Sequence, residues 1–425
     1  MLAILFCLWL AGCALHQVDE QIQPPDFTPK TFTKSGDVRP PDRWWKAFND
    51  PALNQLQDQA LSENLDLRAS WARLKQAMAI AASSSTQPQV DAGASAGRAR
   101  NIFNDQPSTG NNFDINIGIR YEVDLWKRLA ALDNAATISA MASREDTEAF
   151  ALSLSAVIAR TWYGIVEQRE QLNLLSELVE INEKLLEVIQ IRFSNARATA
   201  VEVFQQREQL ASIRSQMPPA RSQLAVLEHQ LAVLVGKPPK SMVAGEGKVL
   251  PQLPPLPETG LPADLLQKRP DLRSAAHRIV SSDYQLAAAI ANRYPALRLS
   301  AQTGYNAAEA GDIFSNWIWN LFSGLTAPLL DGNARKTEVQ RSRAQLEERV
   351  LLYESAMLGA LQEVEDALIL EEHQREFLEK LETQLEYAQQ ALNSGRSRYL
   401  EGVGDFLTVL TEIQAVQRLQ RSLIL

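Results

Sequence analysis

Proline sets the outline of this chain: none occurs between Pro107 and Pro218, and none after Pro328. A proline inside a helix removes a backbone hydrogen bond and drives its ring into the preceding turn, so its absence permits very long helices. The two proline-free stretches predict uninterrupted helices over roughly Leu129 to Arg197 and Ala334 to Val403, each on the order of 100 Å long at 1.5 Å per residue. A globular domain has no room for such elements. The prolines gather instead in a lead, Pro24 to Pro51, and in a linker, residues 236–262, that holds Pro238, Pro239, Pro251, Pro254, Pro255 and Pro257.

Within the first stretch the apolar residues form two seams. Leu172, Leu175, Val179, Leu186, Ile189 and Phe193 follow three-four spacing around a polar Asn182. Leu174, Leu178, Ile181, Leu185 and Val188 follow the same spacing about 100° away around the helix. The second stretch repeats the idea with Val350, Tyr353, Met357, Ala360, Val364 and Ala367, then Leu378, Leu381, Leu385, Ala388 and Leu392. A two-stranded fibre needs one seam. Two seams let a helix pack against a neighbour on each side, as in a wall or closed ring, with an ordinary antiparallel bundle as the alternative.

Between the helices the period changes to two. Phe113, Ile115, Ile117, Ile119, Tyr121, Val123 and Leu125 alternate with Asp114, Asn116, Gly118, Arg120, Glu122 and Asp124. Trp317, Trp319, Leu321 and Leu325 alternate with Asn316, Asn320, Gly324 and Thr326. These are strands with one lipid-like and one wet face, and the tryptophans suit a membrane interface. Weaker strands precede each, around Val90 to Gly97 and Leu297 to Tyr305. Four strands cannot close a barrel, and lipid forbids an open edge, so several chains must pool their strands. A soluble half-buried sheet is the ordinary alternative.

Laid on itself at an offset of about 205 to 206 residues, the chain shows a duplication. Asn64 to Arg68 meets Arg269 to Arg273, Arg192-Phe193 meets Arg398-Tyr399, and Val201 to Phe204 meets Leu407 to Leu410. The expected organisation is a signal peptide, 1–12, a first repeat, 13–235, the proline-rich linker, 236–262, and a second repeat, 263–425. Each repeat reads helix, strand, strand, long helix, helix. The final helix is expected to lack roughly fifteen residues, a C-terminal truncation.

The apolar run Met1 to Leu10 is too short to span a bilayer, which takes about 20 residues, and reads as a signal peptide. It ends in Leu10-Ala11-Gly12-Cys13, a lipobox that makes Cys13 the acylated mature N-terminus, and Ala14 favours sorting to the outer membrane. No Lys or Arg precedes the run, so the start codon is expected upstream. Cleavage removes Cys7 and acylation consumes Cys13, which leaves no thiol for a disulfide. At net charge −9 over 425 residues the chain does not invite nucleic acid. His16, His229, His277 and His373 lack metal-ligand spacing, and no phosphate loop or nucleophile elbow occurs. Glu363, Glu365 and Asp366 read as an ordinary solvated or inter-helix cluster. Neither catalysis nor a cofactor is expected.

Several short segments, in their order along the chain, carry a resemblance. They are Trp44-Trp45-Lys46-Ala47-Phe48-Asn49-Asp50-Pro51, Tyr121-Glu122-Val123-Asp124-Leu125-Trp126, Arg269-Pro270-Asp271-Leu272-Arg273, Pro328-Leu329-Leu330-Asp331-Gly332 and Arg398-Tyr399-Leu400-Glu401-Gly402-Val403. Together they resemble the TolC-like outer-membrane efflux family, in its lipoprotein (NodT-type) branch, over nearly the whole mature chain. Lys127 and Ala196 stand where that family usually has Gly. The resemblance implies a mainly α fold with a small β part. Long antiparallel coiled-coil helices would form a trimeric periplasmic α-barrel, and four strands per protomer would contribute to a twelve-stranded outer-membrane β-barrel. It further implies a homotrimer in outer-membrane lipid, docked to a periplasmic adaptor and an inner-membrane pump of the resistance-nodulation-division type, that passively exports drugs or other small toxic molecules. At the periplasmic tips, where the long helices turn back at Asn195 to Thr199 and Gly402 to Asp405, the resemblance points to a gate. Glu202 and Asp405 would be its constricting carboxylates and Tyr399 a hydrogen-bonding latch, with a helix cap as the alternative role for Asp405. The alternative functions are a pore-less adhesive or structural coiled-coil lipoprotein and a type I secretion duct.

For the anchor, intact mass is expected to show loss of residues 1–12 and a lipid adduct on Cys13. Cys13→Ser should abolish the adduct yet leave strand insertion intact, since a barrel does not depend on one acyl chain. An unmodified, uncleaved wild-type N-terminus would overturn the assignment.

Overall fold

The computed structural model describes residues 15–37, 43–83, 86–103, 106–241 and 250–425. Residues 1–12, Cys13 and the 242–249 part of the linker therefore lie outside the described residues. In chain order the elements are α1 (Pro51–Glu63), α2 (Leu65–Ala82), β1 (Gln89–Phe103), β2 (Gln106–Val123), α3 (Arg128–Ser194), α4 (Ala200–Leu234), α5 (Pro270–Ala291), β3 (Ala296–Ala307), β4 (Trp317–Thr326), α6 (Ala334–Leu400) and α7 (Phe406–Ile424). The fold is mainly helical with a small antiparallel sheet. Helices α3 and α6 are 67 residues each, close to the lengths read from the proline-free stretches. Contacts divide the chain into two units, one comprising Met1–Thr28, Trp71–Thr147 and Leu265–Leu358, the other Pro29–Ser70, Glu148–Asp264 and Gly359–Leu425.

In the first unit the sheet runs β1-β2-β3-β4. Its register explains the alternation in the sequence. Ile117 pairs with Ala92 on β1 and Thr303 on β3, and Thr303 pairs with Trp319 on β4. Directly paired residues share a face, so the odd-numbered residues of β2, β3 and β4 join the even-numbered ones of β1 in one mostly apolar surface. The β1–β2 hairpin is longer than the alternation suggested. Pro107 lies inside β2, opposite Ile102, but β3 pairs with β2 only from Phe113 onward. At Pro107 the strand has a neighbour on one side only, where a missing N–H is tolerated. Below the sheet, Asp124 caps α3 by accepting from Leu129 N (3.0 Å) and Ala130 N (2.8 Å). Trp126 donates to Pro295 O at 2.8 Å. Helix α5 packs closely on α3 because its small Ser274 and Ser281 donate to the backbone carbonyls of Ala142 and Ala135.

In the second unit the segment Trp44 to Pro51 earns its place through Asp50. Its Oδ1 caps α1 by accepting from Ala52 N and Leu53 N, and its Oδ2 accepts from Trp162 Nε1 at 2.7 Å. Trp162, Ile158 and Ile165 of α3 are fully buried against Leu53 and Ala60. Of the two seams on α3, Leu175, Asn182 and Ile189 of the first and Leu178 of the second are buried, whereas Phe193 of the first and Ile181 and Val188 of the second remain 48%, 56% and 44% exposed. The exposed part of the second seam, at Ile181 and Val188, is available to a further helix. Helix α4 runs through Pro218 and Pro219 to Leu234, close to the end of the first repeat at 235. Helices α4 and α7 meet through amides: Gln414 donates to Gln209 at 2.7 Å and Gln209 to Gln417 at 3.0 Å. The lead joins the linker where Gly36 N donates to Pro257 O at 3.1 Å. A Cβ on Gly36 would stand 1.7 Å from the Leu256 carbonyl oxygen, so only glycine fits there.

The two turnarounds are built alike. After α3, Arg197 N donates to Arg192 O and Ala196 N to Phe193 O; after α6, Val403 N donates to Arg398 O and Gly402 N to Tyr399 O. Both are helix endings that require one residue in the left-handed region. Gly402 supplies it at φ 79°, but Ala196 is forced there at φ 52°, and Lys127, the other position with a family glycine, takes φ 61°. A side chain in that region costs roughly 1–2 kcal/mol, part of which glycine gives back as chain entropy. Ala196→Gly should therefore raise stability by about 0.5–1 kcal/mol and Gly402→Ala should lower it comparably, read from urea unfolding followed by circular dichroism.

Candidate functional site

Each turnaround ends in a capped helix. Thr199 caps α4: its Oγ1 accepts from Glu202 N, while Glu202 Oε1 accepts from Thr199 N at 3.3 Å, a reciprocal capping box. Asp405 caps α7, its Oδ1 accepting from Thr408 N at 2.7 Å. That bond to the Thr408 backbone, with a second from the Thr408 side chain, holds the Asp405 carboxyl below the usual range.

Glu202 has a second oxygen to use, and it meets Tyr399. The Tyr399 phenol donates to Glu202 Oε2 at 2.7 Å. Tyr399 is buried among Ile189, Val203, Phe406, Val409 and Leu410. The Phe406 ring lies 5.6 Å away, and the Arg192 guanidinium sits over the Tyr399 ring, 4.5 Å from its centroid. The structure thus brings two of the three expected gate residues, Glu202 and Tyr399, into direct contact. It places the third, Asp405, as an exposed cap at the start of α7. Arg192 is the residue that sequence reading missed. It was visible only as the counterpart of Arg398, and nothing local announces that its guanidinium covers a ring more than two hundred residues away in sequence. Beside this cluster lies an apolar cavity of about 350 Å³ lined by Ile181, Leu185, Val188, Leu392 and Ile413, with Lys184 at its side.

Burial and the bond to Glu202 push the Tyr399 phenol up to about 12. A phenol whose value is raised on folding keeps its proton through neutral pH. The bond contributes stability that is fully present below the ordinary value near 10 and is lost as pH rises through about 12. Nothing in this arrangement positions a nucleophile beside a base. What it offers is one hydrogen bond between the start of α4 and the end of α6, shielded by apolar side chains.

In a spectrophotometric phenolate titration, Tyr399→Phe should remove one late-titrating phenol and leave the fraction near pH 10 unchanged. An unaltered late fraction would mean that the Glu202 contact does not hold Tyr399.

Comparison with known proteins follows the same lines. The family model described as "Outer membrane efflux protein" matches residues 56–237 and again 261–425. The chain is similar to the pyoverdine export outer membrane protein OpmQ of Pseudomonas aeruginosa, 30% identical over 95% of this chain and 88% of that protein. It is also similar to nodulation protein T of Rhizobium leguminosarum bv. trifolii, 26% identical over 98% of this chain and 91% of the other. Among solved structures, the outer-membrane channel OprN superposes with a TM-score of 0.90 at 24% identity, covering 97% of this chain and 95% of that one. VceC of Vibrio cholerae superposes with a TM-score of 0.84 at 24% identity, covering 91% and 94%.

Proposed function

The chain belongs to the outer membrane efflux protein family and serves as an outer-membrane exit duct of efflux, and we propose that it does so as a homotrimeric, passively conducting tube with a polar latch at its periplasmic tips. The observation that carries this reading is the four-stranded sheet, with one apolar face and with β1 and β4 each paired on one side only. Three copies pool twelve strands into a closed barrel, which satisfies every edge that lipid would otherwise leave bare. The exposed part of the second seam on α3, Ile181 and Val188, supports the same arrangement in the helices, which close into a periplasmic α-barrel.

Two matches of one family model in one chain support the duplication into 13–235 and 263–425 about the linker 236–262. As a tripartite component the tube docks to a periplasmic adaptor and an inner-membrane pump of the resistance-nodulation-division type, and Cys13 carries its lipid anchor. Relatives are named for cargoes as unlike as pyoverdine and toluene. That range supports a duct that leaves selection to its pump.

The latch is the Tyr399–Glu202 bond, supported by Arg192, and Asp405 adds a carboxylate beside it. Three copies of each acid around a narrow axis repel anions and attract cations. Opening then breaks a few hydrogen bonds, each worth about 0.5–1.5 kcal/mol net, at the edge of the apolar cluster that holds the Tyr399 ring.

The experiment is single-channel recording in planar bilayers together with vancomycin sensitivity of cells. Wild-type protein should form a channel of low conductance. Tyr399→Phe, and Glu202→Ala combined with Asp405→Ala, should raise conductance and admit the antibiotic. A wild type that never conducts would overturn the tube, and variants that behave as wild type while substitutions elsewhere along α3 or α6 open it would overturn the placement of the latch.

A further inference from the structure

Helix α5 carries a carboxylate that neither the strands nor the turnarounds use. Asp283 is 7% exposed, and an ionised group so placed is expensive unless it is hydrogen-bonded. Both of its oxygens are committed to the N-terminal segment. Oδ1 lies 2.5 Å from His16 Nε2, and Oδ2 accepts from Asp19 N at 3.1 Å. The neighbouring Tyr284 phenol bonds to Glu20, and Asp19 Oδ1 accepts from Gln21 N at 3.0 Å, which bends the segment locally. Leu15, His16, Gln17 and Val18 line a cavity of about 400 Å³ together with Tyr284 and Ala287 of α5. Residues 15–21 are thus a strap seated on α5 by one buried acid.

We propose that Asp283 is the docking carboxylate for this strap and that, by holding His16, it sets the length of the leash between Cys13 and the folded chain. The leash half of the proposal rests on the reading of Cys13 as the lipid anchor. His16 is three residues from Cys13 in sequence, a reach of at most about 11 Å. With the strap released, the next long-range hydrogen bond of the lead among the described residues is Thr33 N to Glu365 Oε1. Thr33 is twenty residues from Cys13, a reach of up to about 70 Å. The hydrocarbon of a bilayer is about 30 Å thick. The docked strap keeps the acyl anchor within less than one bilayer thickness of its first attachment to the folded chain, and the released one does not. Effective concentration falls roughly as the −3/2 power of tether length, so release lowers the local concentration of strands at the membrane roughly 10- to 20-fold.

The test uses the full-length acylated protein with Val18→Cys and Ala287→Cys added as a cross-linking pair across the cavity. The cross-link should form readily with Asp283 in place and with Asp283→Glu, and its yield should drop at least about fivefold with Asp283→Asn or His16→Leu. The two changes together should lower it no further than either alone. His16→Leu alters only the strap, so it reports on docking even where a change at Asp283 disturbs α5. Without the cysteine pair, Asp283→Asn should form heat-resistant oligomer in vesicles about tenfold more slowly than wild type, and Cys13→Ser should erase that difference. Persistence of the cross-link in both variants, or equal assembly rates of acylated wild type and Asp283→Asn, overturns the proposal while leaving the anchor intact. An intact mass with Cys13 unmodified removes the anchor reading instead, and the cross-link alone then decides the docking.

Discussion

A strand edge is a row of unpaired N–H and C=O groups, and hydrocarbon offers them no partner. Each bare group costs several kcal/mol, on the order of the net stability of a small domain when summed along a strand. In this chain β1 and β4 are such edges, with Gln89–Phe103 and Trp317–Thr326 each paired on one side. A single copy has no way to satisfy them, because four strands are too few to curl shut. The stoichiometry of the proposed assembly, the apolar face of the sheet and the spare seam on α3 are all responses to that deficit. In that proposed assembly, strands from several chains that close a ring would deliver the helices that follow them as a ring too.

The parts of this fold that were legible in the sequence are those with a period. The two 67-residue helices announce themselves by three-four spacing and by the lack of proline. The odd-even alternation of β2 gave its apolar face, which the register then carried across the sheet. What was illegible depended on partners far away in sequence. β1 was underestimated because beyond Ala96 its alternation dissolves into Gly97, Arg98, Ala99 and Arg100, and only pairing with β2 extends it. Tyr399 and Glu202 came from resemblance and meet at 2.7 Å; Arg192 gave no local sign of its place on the ring. His16 showed only a lack of metal-ligand spacing, since nothing near it in sequence reveals Asp283.

The turnarounds show how two similar tips become chemically unequal. Ala196 and Gly402 hold corresponding left-handed positions, and Thr199 and Asp405 are corresponding caps. The backbone solution is shared, and the divergence lies in the side chains. Phe193 stands where the other tip has Tyr399, and Glu202 where the other has Thr408. One oxygen on a ring and one carboxylate are enough to turn a pair of matching bends into a donor and an acceptor. The strain of Ala196 is a smaller asymmetry of the same origin, a backbone demand met by a residue poorly suited to it.

The amide contact between α4 and α7 has a mechanical meaning. Interlocked leucines resist axial displacement because each knob must climb out of its hole, and the interface loses close contact on the way. Gln209 instead sits between Gln414 and Gln417, donating to one and accepting from the other. An amide offers both roles and can rotate to exchange them. At this level the two helices are hard to pull apart, since separation would strand the buried amides of Gln209 and Gln417, while nearer the turnaround the apolar cluster of Val203 with Val409 and Leu410 resists sliding.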